Sequence, residues 1–262
     1  MDAARRLKGE VALVTGAGRG IGRAVAIALA REGARVGLMS RTAEELREVA
    51  RTVREAGGEA RELCGDVLVP EDVERAVAEL AGQEGGLTIL VNNAGTGRSA
   101  PFAKTSRALW DEMLALNATS AFAVTQAALP HMLAAGHGRI VSVASIAGIK
   151  GYAYISAYCA SKHALVGLTR ALAVELAAKK ITVNAVCPGY VDSAMTDRNL
   201  AVMSEKTKRP VEELRREIEA LTPQHRLFTP EEVAATVLHL CLPEARGITG
   251  QAIAVCGGEM PV

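Results

Sequence analysis

Apolar residues fall along the chain in two rhythms, short strand-like runs and longer stretches that return to the same face every three or four positions. The short runs are Val11 to Thr15, Ala34 to Met39, Glu59 to Cys64, Leu87 to Val91, Ile140 to Ala144, Ile181 to Cys187 and Gln251 to Val255. Several end in Gly, Pro, Asn or Asp, which punctuate buried strands. The helical stretches are Ile21 to about Arg31, Ala43 to about Ala56, Glu71 to Gln83, Ser106 to about Ala135, Ser156 to Ala178 and Pro230 to Cys241. Strands alternating with helices at this spacing predict right-handed βαβ units. The expected fold class is therefore α/β and doubly wound, a mostly seven-stranded parallel sheet with helices on both faces. No repeat, low-complexity segment or linker interrupts the pattern, so residues 1–262 are expected to form a single domain. From Ala194 to about Arg226 the periodicity loosens, with Arg198, Lys206, Lys208, Arg209, Arg215 and Arg216 interrupted by Pro210 and Pro223. An insertion before the last helix–strand unit reads as a helical lid, mobile over a substrate pocket. Its basic residues suit a phosphate-bearing substrate tail, although a solvated helical face is the simpler account.

Composition narrows this picture. The 262 residues are 49% AVILMFWYC but only 3% aromatic, so the core must be built mainly from Ala, Val, Leu and Ile. Net charge is +1 with Lys and Arg interspersed among Asp and Glu, which gives no call for nucleic acid. Five cysteines (Cys64, Cys159, Cys187, Cys241, Cys256) are odd in number and scattered, as in a reduced cytoplasmic protein. His239 and Cys241 lack a second ligand pair, so no metal is expected. The first ten residues carry no apolar targeting segment, and no uninterrupted membrane span follows. The helix from Ser156 is apolar or small over much of its circumference (Ala160, Ala164, Leu168, Ala171, Leu172, Leu176), which predicts a homo-oligomer, dimer or tetramer.

The candidate chemistry sits at strand ends. The first strand runs into Gly16-Ala17-Gly18-Arg19-Gly20-Ile21-Gly22 and then a helix. Strand, glycine turn and helix start form a phosphate cradle, because glycines admit close approach and the helix N-terminus offers free N–H groups. The second strand ends in Ser40-Arg41 with no acid at the corner; Glu44 and Glu45 come later, within the next helix. Ser40, Arg41 and Arg19 suit a ribose 2′-phosphate, so NADP(H) is favoured over NAD(H). Asp66-Val67 closes the third strand, where Asp66 accepts from an adenine amino group or caps the helix near Pro70. Asn92, Asn93, Ala94 and Gly95 follow the fourth strand and give a ribose close access to the backbone.

Ser145 ends the fifth strand, Tyr158 follows thirteen residues later, and Lys162 lies four beyond it. Positions four apart on a helix stack, so the phenol and the ammonium converge. A nearby positive charge favours phenolate, lowering a pKa of about 10 toward use in proton transfer. A Tyr four before a Lys also arises by chance in many helices, so the pair draws its meaning from the other motifs. Asn117, in an otherwise apolar turn, is a satisfied amide or orders water leading to Lys162. Pro188-Gly189 ends the sixth strand, after which Val191 offers an amide and Ser193 a hydroxyl. A nucleotide-sensing protein on the same fold and a hydrolase using Ser145 are competing readings. Intact Ser145, Tyr158 and Lys162 weigh against the first, and the missing G-x-S-x-G elbow against the second.

Taken in order, these motifs resemble the short-chain dehydrogenase/reductase family, a Rossmann-type fold, from about Lys8 to Gly258. The motifs are Thr15-Gly16-(x3)-Gly20-Ile21-Gly22, Asp66-Val67, Asn92-Asn93-Ala94-Gly95, Asn117, Ser145, Tyr158-(x3)-Lys162 and Pro188-Gly189. The resemblance implies that Ser145 and Tyr158 bind a substrate carbonyl and that Tyr158 is the acid/base. It further implies that Lys162 lowers the Tyr158 pKa and binds the nicotinamide ribose, and that Asn117 holds a relay water. The chain is most similar to 3-oxoacyl-thioester (acyl-carrier-protein or CoA) reductases and to ketoreductases of aromatic polyketide synthesis. Ile181 to Tyr190 and Ile253 to Gly258 resemble the latter, whose Pro-Gly-Gly after Asn-Asn-Ala-Gly is here Thr96-Gly97-Arg98-Ser99. A 3-hydroxyacyl-CoA or 3-hydroxybutyrate dehydrogenase is similarly implied. The expected reaction is hydride transfer from NADPH to a carbonyl of a small or carrier-protein-bound substrate, with Tyr158 supplying the proton.

Overall fold

A computed structural model describes residues 5–82 and 86–260. Seven strands are β1 (Val11–Thr15), β2 (Arg35–Ser40), β3 (Glu59–Cys64), β4 (Leu87–Asn92), β5 (Gly138–Val143), β6 (Ile181–Pro188) and β7 (Ala252–Val255). They form one sheet in the order β3-β2-β1-β4-β5-β6-β7, and every recorded pairing is parallel. β1, β4 and β6 are buried along their whole length, as central strands covered on both faces must be. β3, at one margin, alternates exposed and half-buried positions and ends on a single buried leucine before Cys64.

The helices divide between the two faces. Helices α1 (Gly20–Arg31), α2 (Ala43–Glu55) and α9 (Pro230–Cys241) share one core with β1, β2 and β4, through residues such as Val25, Leu29, Leu46, Val233 and Leu240. Helix α3 (Pro70–Ala81), helix α5 (Ser120–Ala135) and helix α6 (Ser156–Leu176) cover the other face, through Val73, Leu80, Val124, Met132 and Leu176. The predicted end of the third helix at Gln83 lies outside the described residues. Because the strand order reverses between β1 and β4, the loops leaving those strands diverge to opposite faces and open a crevice at the carboxyl edge.

Three segments depart from expectation. The long helix predicted from Ser106 is interrupted: α4 (Arg107–Leu114) passes through one π-helical turn, Ala115–Thr119, before α5 begins. Asn117 sits inside that turn, 1% exposed, and its amide is held from both sides by neighbouring loops, which accommodates the extra residue per turn. Helix α6 stops at Leu176, and its last turn tightens to a 3₁₀ turn ended by Lys180 in the left-handed region. Its outer face, the one expected to meet another subunit, exposes Ala164, Ala171 and Val174.

The loosened segment is regular. It holds α7 (Ala194–Thr207) and α8 (Val211–Ala220), packed on each other through Leu200, Leu214, Ile218 and Leu227. Arg209 pairs with Glu213 at 2.7 Å and with Glu217, while Arg215 pairs with Asp192 at 2.9 Å and Asp197 at 3.2 Å. These cations are satisfied by carboxylates of the same region, which favours the plain account of a solvated basic face. Among the described residues no helix is long and apolar enough to cross a membrane, and no cluster of three acidic, His or Cys ligands occurs.

Candidate active site

A cleft of about 420 Å³ follows the carboxyl edge of the sheet from the β1 turn to the start of α6. Most of the residues singled out by sequence line it: Gly16, Arg19, Gly20, Ile21, Ser40, Arg41, Asp66, Val67, Asn93, Ala94, Gly95, Ser145, Tyr158, Lys162, Pro188, Gly189, Val191 and Ser193; Asn92 does not. Gly22 and Asn117 lie behind the wall. A Cβ on Gly22 would stand 2.2 Å from the Gly16 carbonyl oxygen, so its glycine is demanded by helix-on-turn packing.

At one end, the turn after β1 is braced from β4. Thr15 Oγ1 accepts from the Asn93 and Ala94 amides at 3.0 Å each, and Asn93 Nδ2 donates to the Thr15 and Gly16 carbonyls at 2.9 and 3.1 Å. Arg19 caps α1 in extended conformation, with no side-chain acceptor for the first amides and no acid in the first turn. At the same end of the crevice α2 and α3 carry first-turn acids, and α7 has a Ser193 cap; α6, at the far end, likewise starts with neither. An uncapped helix start in a glycine turn fits the pyrophosphate of a dinucleotide. Asp66 does not cap α3, whose N-cap is Val69. Its Oδ1 instead accepts from the Leu68 amide at 3.0 Å, closing a tighter turn one step earlier. The Ser193 hydroxyl accepts from the Thr196 amide at 3.5 Å, so it anchors the first turn of α7 as well as facing the cleft.

At the other end the catalytic candidates converge. Ser145 follows β5 and caps a short 3₁₀ turn, its Oγ accepting from the Ala147 amide at 3.1 Å. Ser145 and Tyr158 line the same end of the cleft, and Lys162 Nζ lies 5.8 Å from the Tyr158 ring centre while donating to the Val143 carbonyl at 2.9 Å. Asn117 is fully engaged as a brace: Oδ1 accepts from Thr96 N at 2.9 Å, and Nδ2 donates to Thr96 O at 2.9 Å and to Ser161 Oγ at 3.0 Å. Gly95 passes so near that a Cβ would meet Asn117 Oδ1 at 2.7 Å and Lys162 Nζ at 3.5 Å.

Electrostatics here correct one expectation. Burial pushes the Tyr158 phenol up to about 12, with the Ser145 side chain opposing. Burial likewise pulls Lys162 down to about 8. An ammonium 5.8 Å from the ring centre, itself destabilised by desolvation, does not outweigh the burial that raises the phenol. In the folded chain Tyr158 therefore holds its proton at neutral pH.

The short chain dehydrogenase family model matches residues 10–204. The chain belongs to the short-chain dehydrogenase family. As a member it is an NAD(P)-dependent oxidoreductase acting on CH–OH groups. This dehydrogenase is 42% identical over 251 residues to a Streptomyces coelicolor protein named as a ketoacyl reductase, covering 95% of this chain and 96% of that one. It is 39% identical to the 3-oxoacyl-(acyl-carrier-protein) reductase of Aquifex aeolicus, covering 97% of this chain and 98% of that one. A solved variant of actinorhodin polyketide ketoreductase with NADPH superposes with a TM-score of 0.92 at 41% identity, over 98% of this chain and 99% of that one.

Sequence reasoning missed three features of this dehydrogenase's cleft. Glu45, placed by sequence inside the following helix, reaches back from the first turn of α2 to line the cleft and pairs with Arg19 at 3.3 Å. Tyr152 lines the substrate end and donates its hydroxyl to the buried Glu259, which Lys150 also meets at 3.2 Å. The loop Thr96 to Ser99 borders Tyr158, since a Cβ on Gly97 would lie 3.5 Å from the ring. Only the last had a signal, the departure from Pro-Gly-Gly.

Proposed function

We propose that this dehydrogenase reduces the 3-oxo group of an acyl thioester, carried on CoA or an acyl carrier protein, with NADPH as the preferred cofactor. The observation that carries the reading is Ser145 and Tyr158 side by side at the end of a dinucleotide-shaped cleft, with Lys162 behind them. The names of the Streptomyces and Aquifex relatives support the ketoacyl substrate, and the NADPH-bound neighbour supports the cofactor.

In this reading the glycine turn with Gly16, Gly20 and Ile21 takes the pyrophosphate, and Ser40, Arg41 and Arg19 take the 2′-phosphate. Asp66 and Val67 take the adenine; Asn93, Ala94, Gly95 and Lys162 the nicotinamide ribose; Pro188, Gly189, Val191 and Ser193 the carboxamide side. When bound, the nicotinamide supplies a hydride to the carbonyl carbon. The Ser145 hydroxyl holds the carbonyl oxygen, and Tyr158 donates its proton to that oxygen as negative charge develops. The resulting phenolate is stabilised by Lys162 until solvent returns a proton. Asn117 fixes the Thr96 loop and Ser161, and so sets the distance between the Gly95 backbone and Lys162. The test is the loss of NADPH absorbance with acetoacetyl-CoA, with simple cyclic ketones as the comparison. Turnover of the thioester well above that of the ketones is expected. Turnover of the cyclic ketones alone would overturn the thioester assignment.

A further inference from the structure

The two cations assigned to a 2′-phosphate are each already matched by a carboxylate that faces the same cleft. Arg19 Nη1 lies 3.3 Å from Glu45 Oε1, and Arg41 Nη1 lies 3.7 Å from Asp66 Oδ2. The four charges cancel. The Glu45 group also stands over the glycine turn: the point where a Cβ on Gly18 would sit is 2.6 Å from Glu45 Oε2 and 3.2 Å from Ser40 Oγ. An anion bound jointly by Arg19 and Ser40 must share that ground with the Glu45 carboxylate.

We infer that Glu45 is a specificity-determining residue: from the first turn of α2 it supplies the acid that the end of β2 lacks, restraining the preference for NADPH and admitting NADH. A ribose 2′-hydroxyl donates to a carboxylate, whereas a 2′-phosphate is repelled by it. Arg19 and Glu45 are both solvent-accessible, with side chains 58% and 32% exposed, so their mutual pairing is weak and Arg19 changes partner readily. The outcome is a site that keeps a preference for NADPH but has a partner for either cofactor. This rests on the assignment of Ser40, Arg41 and Arg19 to the adenosine ribose.

The test is fluorescence titration of the full chain with NADPH and with NADH, comparing wild type, Glu45→Gln, Glu45→Ala, Glu44→Gln and Arg41→Ala. Glu44 is a suitable control because it lies one residue away but pairs outward with Arg47 at 2.8 Å, its side chain 86% exposed. Loss of one charge at about 5 Å from a phosphate dianion predicts that both Glu45 variants raise the NADPH-to-NADH affinity ratio about tenfold, with Glu44→Gln leaving it within about twofold. An unchanged ratio in the Glu45 variants, or an equal rise in Glu44→Gln, overturns the inference. If wild type binds neither dinucleotide, or Arg41→Ala weakens both equally, the ribose assignment fails first and the inference falls with it.

Discussion

Lys162 carries the most deeply buried charge of the site, and replacing it exposes what that burial costs. Its side chain is 5% exposed, its Nζ donates to the Val143 carbonyl at 2.9 Å, and no carboxylate among the described residues pairs with it. Burial moves its pKa from 10.5 to about 8. At about 1.4 kcal/mol per pH unit, that corresponds to a penalty of about 3 kcal/mol for keeping the folded side chain charged at neutral pH. Below pH 8 both folded and unfolded chains hold the proton, and the penalty is fully present. Between pH 8 and 10.5 the unfolded chain binds more protons at this group than the folded one, so the Lys162 contribution to stability rises with pH across that window. Tyr158, raised to about 12, acts in the opposite sense only above its ordinary 10.0.

Lys162→Met keeps the length of the side chain and removes the charge. Against the gain of about 3 kcal/mol stands the unmatched Val143 carbonyl, about 1–2 kcal/mol, leaving a net stabilisation of about 1–2 kcal/mol at pH 7. Urea denaturation at fixed protein concentration reads this directly, and should be repeated from about pH 7.5 to about pH 9.5. The buried Cys187 and Cys241 thiols, pushed up to about 11 and about 12, cost both proteins stability alike near pH 9, so wild type is expected to gain relative to the variant over that range, and the variant to lose turnover. A variant less stable than wild type at pH 7, or a difference between the two that does not shrink as pH rises, would refute the desolvation argument.

Three further outcomes follow from the same geometry. Tyr158→Phe should lower turnover at least about a hundredfold with NADPH affinity held within about twofold, since only the proton donor is removed; this is read by steady-state kinetics beside fluorescence titration. Arg41→Ala should weaken NADPH about tenfold more than NADH in the same titration, because only NADPH carries the extra phosphate. Thr15→Val deprives the Asn93 and Ala94 amides of their shared acceptor at a position 2% exposed, and should cost about 2–3 kcal/mol in urea denaturation. A midpoint equal to wild type would remove Thr15 from its bracing role.

The sheet was readable because its evidence is local. β1 and β3 match their predicted limits, since each run is bounded by a residue that breaks a strand. Tyr158 and Lys162 could be placed together because four residues on a helix is a fixed geometric interval. What was illegible depends on tertiary contact. The π turn at Ala115–Thr119 arises where Asn117 is held by Thr96 and Ser161, 21 and 44 residues away. Glu45 reads as an ordinary first-turn acid until α2 is laid beside the glycine turn. The charged segment from Ala194 looked irregular because α7 and α8 bury so little: only Leu200, Leu214 and Ile218 on those two helices turn inward.

The Tyr158 pKa shows how a correct placement can carry a wrong electrostatic sign. An opposite charge stabilises phenolate only if it is nearer, or better solvated, than the surroundings are apolar. Here the same burial acts on both groups, raising the phenol to about 12 and lowering the ammonium to about 8. Each shift favours the neutral form, so neither group can be credited with charging the other in the folded chain. At neutral pH the site is stocked with a phenolic proton beside Ser145, and a carbonyl oxygen acquiring charge can take it without a preceding ionisation. The same phenolate lies on the path of reduction and of alcohol oxidation, so its desolvation weighs on both directions, and any charge that stabilises it, Lys162 included, lowers the cost of both.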